Sequence, residues 1–119
     1  MNNQDIQAKG LNAVIAYENT KYGRKAERVQ KCGYDLCSKG NGFQRHIEVK
    51  ATTKSRFTFR WLEDLEQKRA ENDPDFYLYL VTDVDSSNPQ VIEYDRQKLK
   101  SRFSRVEFHY IYNFPKSDF

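Results

Sequence analysis

An aspartate, a glutamate and a lysine lie close together in the stretch GYDLCSKGNGFQRHIEVK, from Gly33 to Lys50. Asp35 sits in a short apolar run. A turn-rich gap follows, and then Ile47-Glu48-Val49-Lys50. Side chains alternate between the faces of a β-strand, so Ile47 and Val49 point one way and Glu48 and Lys50 the other. If the strand register agrees, Asp35 and Glu48 converge on one side of a sheet with Lys50 beside them. Such a set can hold a divalent cation and position a water against a phosphodiester. Mg²⁺ takes hard oxygen ligands in near-octahedral geometry and keeps several waters. Asp35 and Glu48 would supply carboxylates, and the Val49 carbonyl a further oxygen. The cation, Mg or Mn, would polarise the phosphate and lower the pKa of a bound water. Lys50 would orient that water or offset the charge that develops on the phosphate. Glu18, on a preceding helix, is a third acid that could bind the metal directly or through a water.

The bland reading of the same residues is a strand with one wet face. Three features favour a site. Glu48 and Lys50 alternate with Ile47 and Val49, so their strand has a buried face. Asp35 is at a turn-linked distance, and Glu18 precedes it on a helix. Taken alone, Glu18 reads as a solvated glutamate. His46 shares the Glu48 face and could act as a general acid, though a lone surface histidine is the simpler reading. Asp83 and Asp85 follow an apolar strand and read first as turn residues, second as metal ligands.

The elements that must position this set follow from periodicity. Ile6, Leu11, Ala13, Val14 and Tyr17 recur at helical steps and predict a helix over residues 4–21, with Asp5 near its start and Gly23 beyond its end. Residues 24–31 are strongly charged and read as a loop or an edge strand. A strand begins at 33–36, Ser38 to Gly42 is a turn, and a second strand over 43–53 completes an antiparallel hairpin. A short strand at 57–59, a helix over 61–72 and an apolar strand over 76–81 come next. Being apolar throughout, that strand belongs in the middle of a sheet with helices above and below. A turn at 86–89, a strand at 91–94, a basic helix over 95–105 and an aromatic strand over 108–114 finish the chain. The order predicts one α/β domain over residues 1–119, a mixed β-sheet flanked by helices.

The 119 residues carry a net charge of +3, which permits nucleic-acid binding without demanding it. Candidate phosphate contacts are Lys54, Arg56 and Arg60, just past the site, and the cluster Arg96, Lys98, Lys100 and Arg102. The acidic stretch 63–75 should face away from DNA. The aromatic face of the final strand is core or, if uncovered, a homodimer interface. Cys32 and Cys37 lack the second pair of ligands that zinc requires. With no apolar run near the length of a membrane span, the chain reads as cytoplasmic, with no membrane partner and reduced thiols.

The run from Ala13 to Lys50 resembles the C-terminal domain of the plant protein NO VEIN. Ala13, Val14 and Glu18 match that family's first motif. Gly33 to Leu36 match its second, and Ile47 to Lys50 its third. Weaker likeness extends through 57–59, Glu63 and 76–81. In bacteria the domain accompanies helicase-like and defence proteins, which implies a helicase or ATPase partner. The family is similar to the PD-(D/E)XK nucleases, including Mrr-type restriction enzymes. That similarity implies a restriction-endonuclease-like fold with an α-β-β-β-α-β core. It also implies a Mg²⁺-dependent cut in DNA and an active-site set of Glu18, Asp35, Glu48 and Lys50. Tyr34 stands where the superfamily has proline. The segment 59–63 keeps only the Glu of the family's Leu-Thr-x-Asn-Glu. Against the nuclease stand a catalytically silent nucleic-acid-binding module of the same fold and a protein-interaction module.

Overall fold

The computed structural model describes residues 1–28, 33–55, 58–59, 64–103 and 112–113, and side chains for 1–28, 33–55 and 68–99. The first helix, α1 (Asn3–Tyr22), has defined ends. The Asn2 side chain accepts the Asp5 N–H at 2.9 Å and the Asp5 carboxylate accepts the Asn2 N–H, a capping box. At the other end Gly23 takes the left-handed conformation, and the Gly23 and Arg24 N–H groups bond back to the carbonyls of Asn19 and Glu18. The buried stripe of α1 is Gly10, Val14 and Glu18, spaced one turn apart.

Strands β1 (Lys25–Glu27), β2 (Leu36–Gly40) and β3 (Phe43–Ala51) form an antiparallel meander. The predicted five-residue turn is narrower than expected, because β2 continues to Gly40 and pairs with Phe43. Only Asn41 and Gly42 turn, at φ 55° and 82°, the two-residue solution that matches strand twist. Within the charged stretch after α1, Lys25–Glu27 form an edge strand. Its shortness and charge suit an edge. At the other end of β2 the strand starts at Leu36, so Asp35 precedes it rather than lying within it.

Helix α2 (Asp64–Asn72) carries the chain from β3 to β5 (Phe76–Thr82), which pairs parallel to β3. Strand β6 (Gln90–Asp95) returns antiparallel to β5, and α3 (Arg96–Phe103) follows. Sheet order is β1-β2-β3-β5-β6, and β4 (Thr58–Phe59) pairs separately with β7 (Tyr112–Asn113). The mixed sheet with flanking helices predicted from the sequence is therefore present, in the expected α-β-β-β-α-β order. The rest of the predicted aromatic strand, and Trp61 to Glu63, lie outside the described residues. Cys37 is disulfide-bonded, which corrects the expectation of reduced thiols; Cys32 is outside the described residues. No helix among the described residues is long and apolar enough to cross a membrane.

Alternation along the strands builds two cores. Val14 packs with Leu36, Ile47, Val49, Tyr79 and Val81 on the α1 side. Ala70 of α2 and Leu99 of α3 pack with Phe76, Leu78, Leu80, Ile92 and Tyr94 on the other. Strand β5 feeds both, as its unbroken apolar run requires.

Helix α1 lies close to the end of β3 because position 10 has no side chain. A Cβ built on Gly10 would meet the Ala51 Cβ at 2.7 Å. Gly10→Ala should therefore lower stability by about 1–3 kcal/mol through overpacking, outweighing the ~1 kcal/mol that alanine gains in a helix. Urea unfolding of the variant checks this; a gain in stability would mean that the helix can move away without loss.

Candidate metal centre at the open edge of β3

The β2–β3 pairing ends at Leu36 opposite Ile47. Continued by one residue, that register would set Asp35 opposite Glu48. Beyond that point β3 has lost its β2 partner, and two side chains take over its hydrogen bonds. The Asp35 carboxylate accepts the Val49 N–H at 2.8 Å. The Gln7 side-chain amide donates to the Val49 carbonyl at 3.3 Å. Gln7 lies one turn before Gly10 on α1, so the close approach at Gly10 brings it to this edge.

Glu48 and Lys50 share the sheet face that α2 and α3 cover. Glu48 is buried, and Lys50 is half-buried. Arg69 of α2 donates to Glu48 at 2.8 Å. Its guanidinium also lies 4.3 Å from the centre of the Tyr34 ring. The register thus brings together Asp35, Glu48, the Val49 carbonyl and Lys50, and adds Gln7 and Arg69. Neither addition was read from the sequence. Arg69 carries no distinguishing signal on a polar helix, and Gln7 none without the packing of α1.

Glu18 is elsewhere. It lies on the α1 side of the sheet, the face opposite Glu48, and is fully buried. Its carboxylate accepts from the Ser38 hydroxyl at 2.7 Å and the Tyr79 hydroxyl at 2.6 Å. Arg24 and Arg45 each stand 3.5 Å from it. Arg24 also donates to the carbonyls of Ser38, Gly40 and Phe43, tying the end of α1 to the hairpin. Arg45 donates to Tyr79 at 2.7 Å and to Glu93 at 2.9 Å. Burial works against the Arg45 charge, but Tyr79, Glu18 and Glu93 hold its pKa above the usual value. Burial and the bond to Glu18 push the Tyr79 hydroxyl up, so it stays a neutral donor. Glu18 thus serves a buried ion network.

His46 is less a lone surface residue than the sequence suggested. Its Nδ1 is 2.6 Å from Asp73, and its ring stacks on Tyr34 at 4.8 Å between centroids. The Tyr34 hydroxyl donates to the same Asp73 oxygen. His46, Asp73 and Asp75 put ligand atoms within 4.8 Å of one another, but internal hydrogen bonds already hold His46 and Asp73. Asp83 and Asp85 are turn residues, with Asp83 at φ 51° and Asp85 paired to Lys9 at the exposed surface.

The predicted phosphate contacts divide. Lys54 is exposed, three residues beyond the end of β3. Arg96 instead donates to the carbonyls of Ala70 and Glu71, capping the end of α2. Lys98 lies over the Tyr94 ring at 4.5 Å. Arg56 and Arg60, and the side chains of Lys100 and Arg102, lie outside the described residues.

The fold and this strand edge define a three-layer α/β domain with a carboxylate–lysine set beside a hairpin. The family described as Protein NO VEIN, C-terminal matches residues 6–94. That is more than half of the chain, and the protein belongs to this family. Neither a curated protein nor a solved structure matches it.

Removing the Glu18 carboxylate leaves two buried arginines short of a counter-charge. Glu18→Ala should cost about 3–5 kcal/mol in urea unfolding, as breaking a buried ion pair does. A loss below about 1 kcal/mol would show that the network relaxes around the change.

Glu93 and Asp73 titrate below their ordinary values of 4.5 and 3.8. In both, burial pushes the other way and is outweighed: by Tyr22, Arg45 and Tyr79 at Glu93, and by Tyr34 and His46 at Asp73. The unfolded chain then takes up protons at a pH where the folded chain does not. Their contribution is full above the unfolded values and is lost as pH falls through the folded ones. Glu93→Gln should be less stable than wild type at pH 7, by on the order of 1–2 kcal/mol. It should also lose less stability between pH ~5 and ~3. Parallel acid limbs in urea unfolding would contradict this.

Proposed function

We propose that this domain is a Mg²⁺-dependent nuclease that hydrolyses DNA phosphodiester bonds in defence, restriction or related DNA processing. The observation that carries the reading is the Asp35–Val49 hydrogen bond, which brings the Asp35 carboxylate to the residue that follows Glu48. The donor set suits the ion. Two carboxylates and a backbone carbonyl are hard oxygens, the chemistry that Mg²⁺ and Mn²⁺ select. When bound there, the cation would polarise the phosphate and supply an acidified water.

The rest falls to the chain's own residues. Asp35 and Glu48 would hold the ion, with the Val49 carbonyl as a further donor. Lys50, on the Glu48 face, would orient the attacking water or offset charge on the phosphate. Lys54 would contact a neighbouring phosphate by charge and reach alone. A helicase or ATPase partner, which the family resemblance implies, would deliver the DNA. Glu18 has no part in this reading, because it belongs to the network across the sheet.

One observation favours a second reading. Glu48 is already ion-paired with Arg69. If that pair is permanent, the domain is a catalytically silent nucleic-acid-binding module.

A panel of DNA and RNA substrates with Mg²⁺ or Mn²⁺ separates the two. Wild type should nick DNA only with metal, and Glu48→Ala and Lys50→Ala should each lose about 10²-fold or more. Absence of cleavage, together with calorimetry showing no metal binding that depends on Asp35 and Glu48, would leave the binding module.

A further inference from the structure

We propose that Arg69 is a tethered counter-ion that neutralises Glu48 until a divalent cation displaces it. This rests on the metal-dependent reading above. Glu48 is only 8% exposed, and a carboxylate so buried needs a positive partner at all times. Without metal, Arg69 is such a partner, at 2.8 Å.

The guanidinium is held by more than that ion pair. It lies over the Tyr34 ring, and a Cβ on Gly33 would stand 3.5 Å from its Nη2. Tyr34 is itself fixed, bonded to Asp73 and stacked on His46. Gly33 and Tyr34 are the two residues before Asp35. The arginine is therefore docked against the segment that carries the other proposed ligand.

Three features make it displaceable. Its side chain is 24% exposed, so it can swing toward water. It sits in the last turn of a nine-residue helix, where a rotamer change does not require the sheet to move. The Tyr34 face is a second resting place that does not depend on Glu48. A dication brings twice the charge to the carboxylate and engages Asp35 as well, so exchange keeps the site compensated. The cost of breaking the Arg69–Glu48 pair is then subtracted from metal affinity.

Mn²⁺ affinity by calorimetry, with electron paramagnetic resonance as a check, tests this on wild type and variants. Arg69→Gln should bind Mn²⁺ about tenfold more tightly, the ratio expected for removing one charged hydrogen bond. Arg69→Lys, which keeps the charge without the planar fork, should fall between. Glu48→Gln should lose binding. In wild type, saturation with Mg²⁺ should speed rotation of the Arg69 guanidinium in nitrogen-15 NMR, because its anchor is gone. That measurement needs no variant and stands even if Arg69→Gln fails to fold.

Unchanged guanidinium signals, or Arg69→Gln affinity no tighter than wild type while Glu48 still binds metal, would overturn the exchange and leave the metal site intact. Absence of metal binding in both wild type and Arg69→Gln would overturn the exchange and the metal-dependent reading together.

Discussion

Strand β3 buries charge on both of its faces, and the packing around it follows from that constraint. Arg45 and Glu48 are three residues apart on opposite sides of the strand, each with less than a tenth of its surface exposed. An unpaired buried charge costs several kcal/mol, so each must be met by an opposite charge. On the α1 side, Glu18 and Glu93 meet Arg45, and Tyr79 bridges them. On the other side Arg69 meets Glu48, and the neighbouring His46 is hydrogen-bonded to Asp73. Each partner comes from a different element. The charges of one strand therefore specify how α1, α2, β5 and β6 sit against it, while the apolar cores supply the bulk of the burial.

Much of this architecture was legible in the sequence because it rests on local signals. The ends of α1 were announced by Asp5 and Gly23. The unbroken apolar run from Phe76 told of a strand covered on both sides. The hairpin and the Glu48–Lys50 alternation came from strand periodicity. Boundaries shifted where turn chemistry and tertiary pairing competed. Asn41-Gly42 suffices for the turn, so Ser38 to Gly40 are released to the strand and put Ser38 opposite Arg45.

The solvated reading of Glu18 fails for a physical reason, since the residue is fully buried. A glutamate beside polar residues on a helix looks solvated, or functional if a family motif includes it. Its actual environment depends on two arginines, a serine and a tyrosine brought in from three strands and the turn after the helix. Periodicity holds no information about those meetings. A motif can be shared because a fold needs a buried network as well as because a reaction needs a ligand. In this chain the hydrogen bonds of Glu18 are to Ser38 and Tyr79, with Arg24 and Arg45 alongside, and these account for the carboxylate without a metal.

The candidate centre itself is a consequence of one strand being too short. Strand β2 begins at Leu36, so β3 runs on from Val49 without its neighbour on that edge. A bare strand edge exposes N–H and C=O groups to any passing chain. Here the Asp35 carboxylate takes the N–H and the Gln7 amide takes the C=O. Edge protection and the proposed placement of the ligands are thus the same act. Capping the N–H fixes the Asp35 carboxylate next to Glu48, and the helix that delivers Gln7 is the one that Gly10 lets approach. The carbonyl is held by a longer and weaker bond than the N–H. It is the member of the proposed donor set that a cation could recruit at least expense to the fold. Asp35, by contrast, holds the Val49 N–H through one oxygen at 2.8 Å, so in the proposed centre its other oxygen would meet the ion.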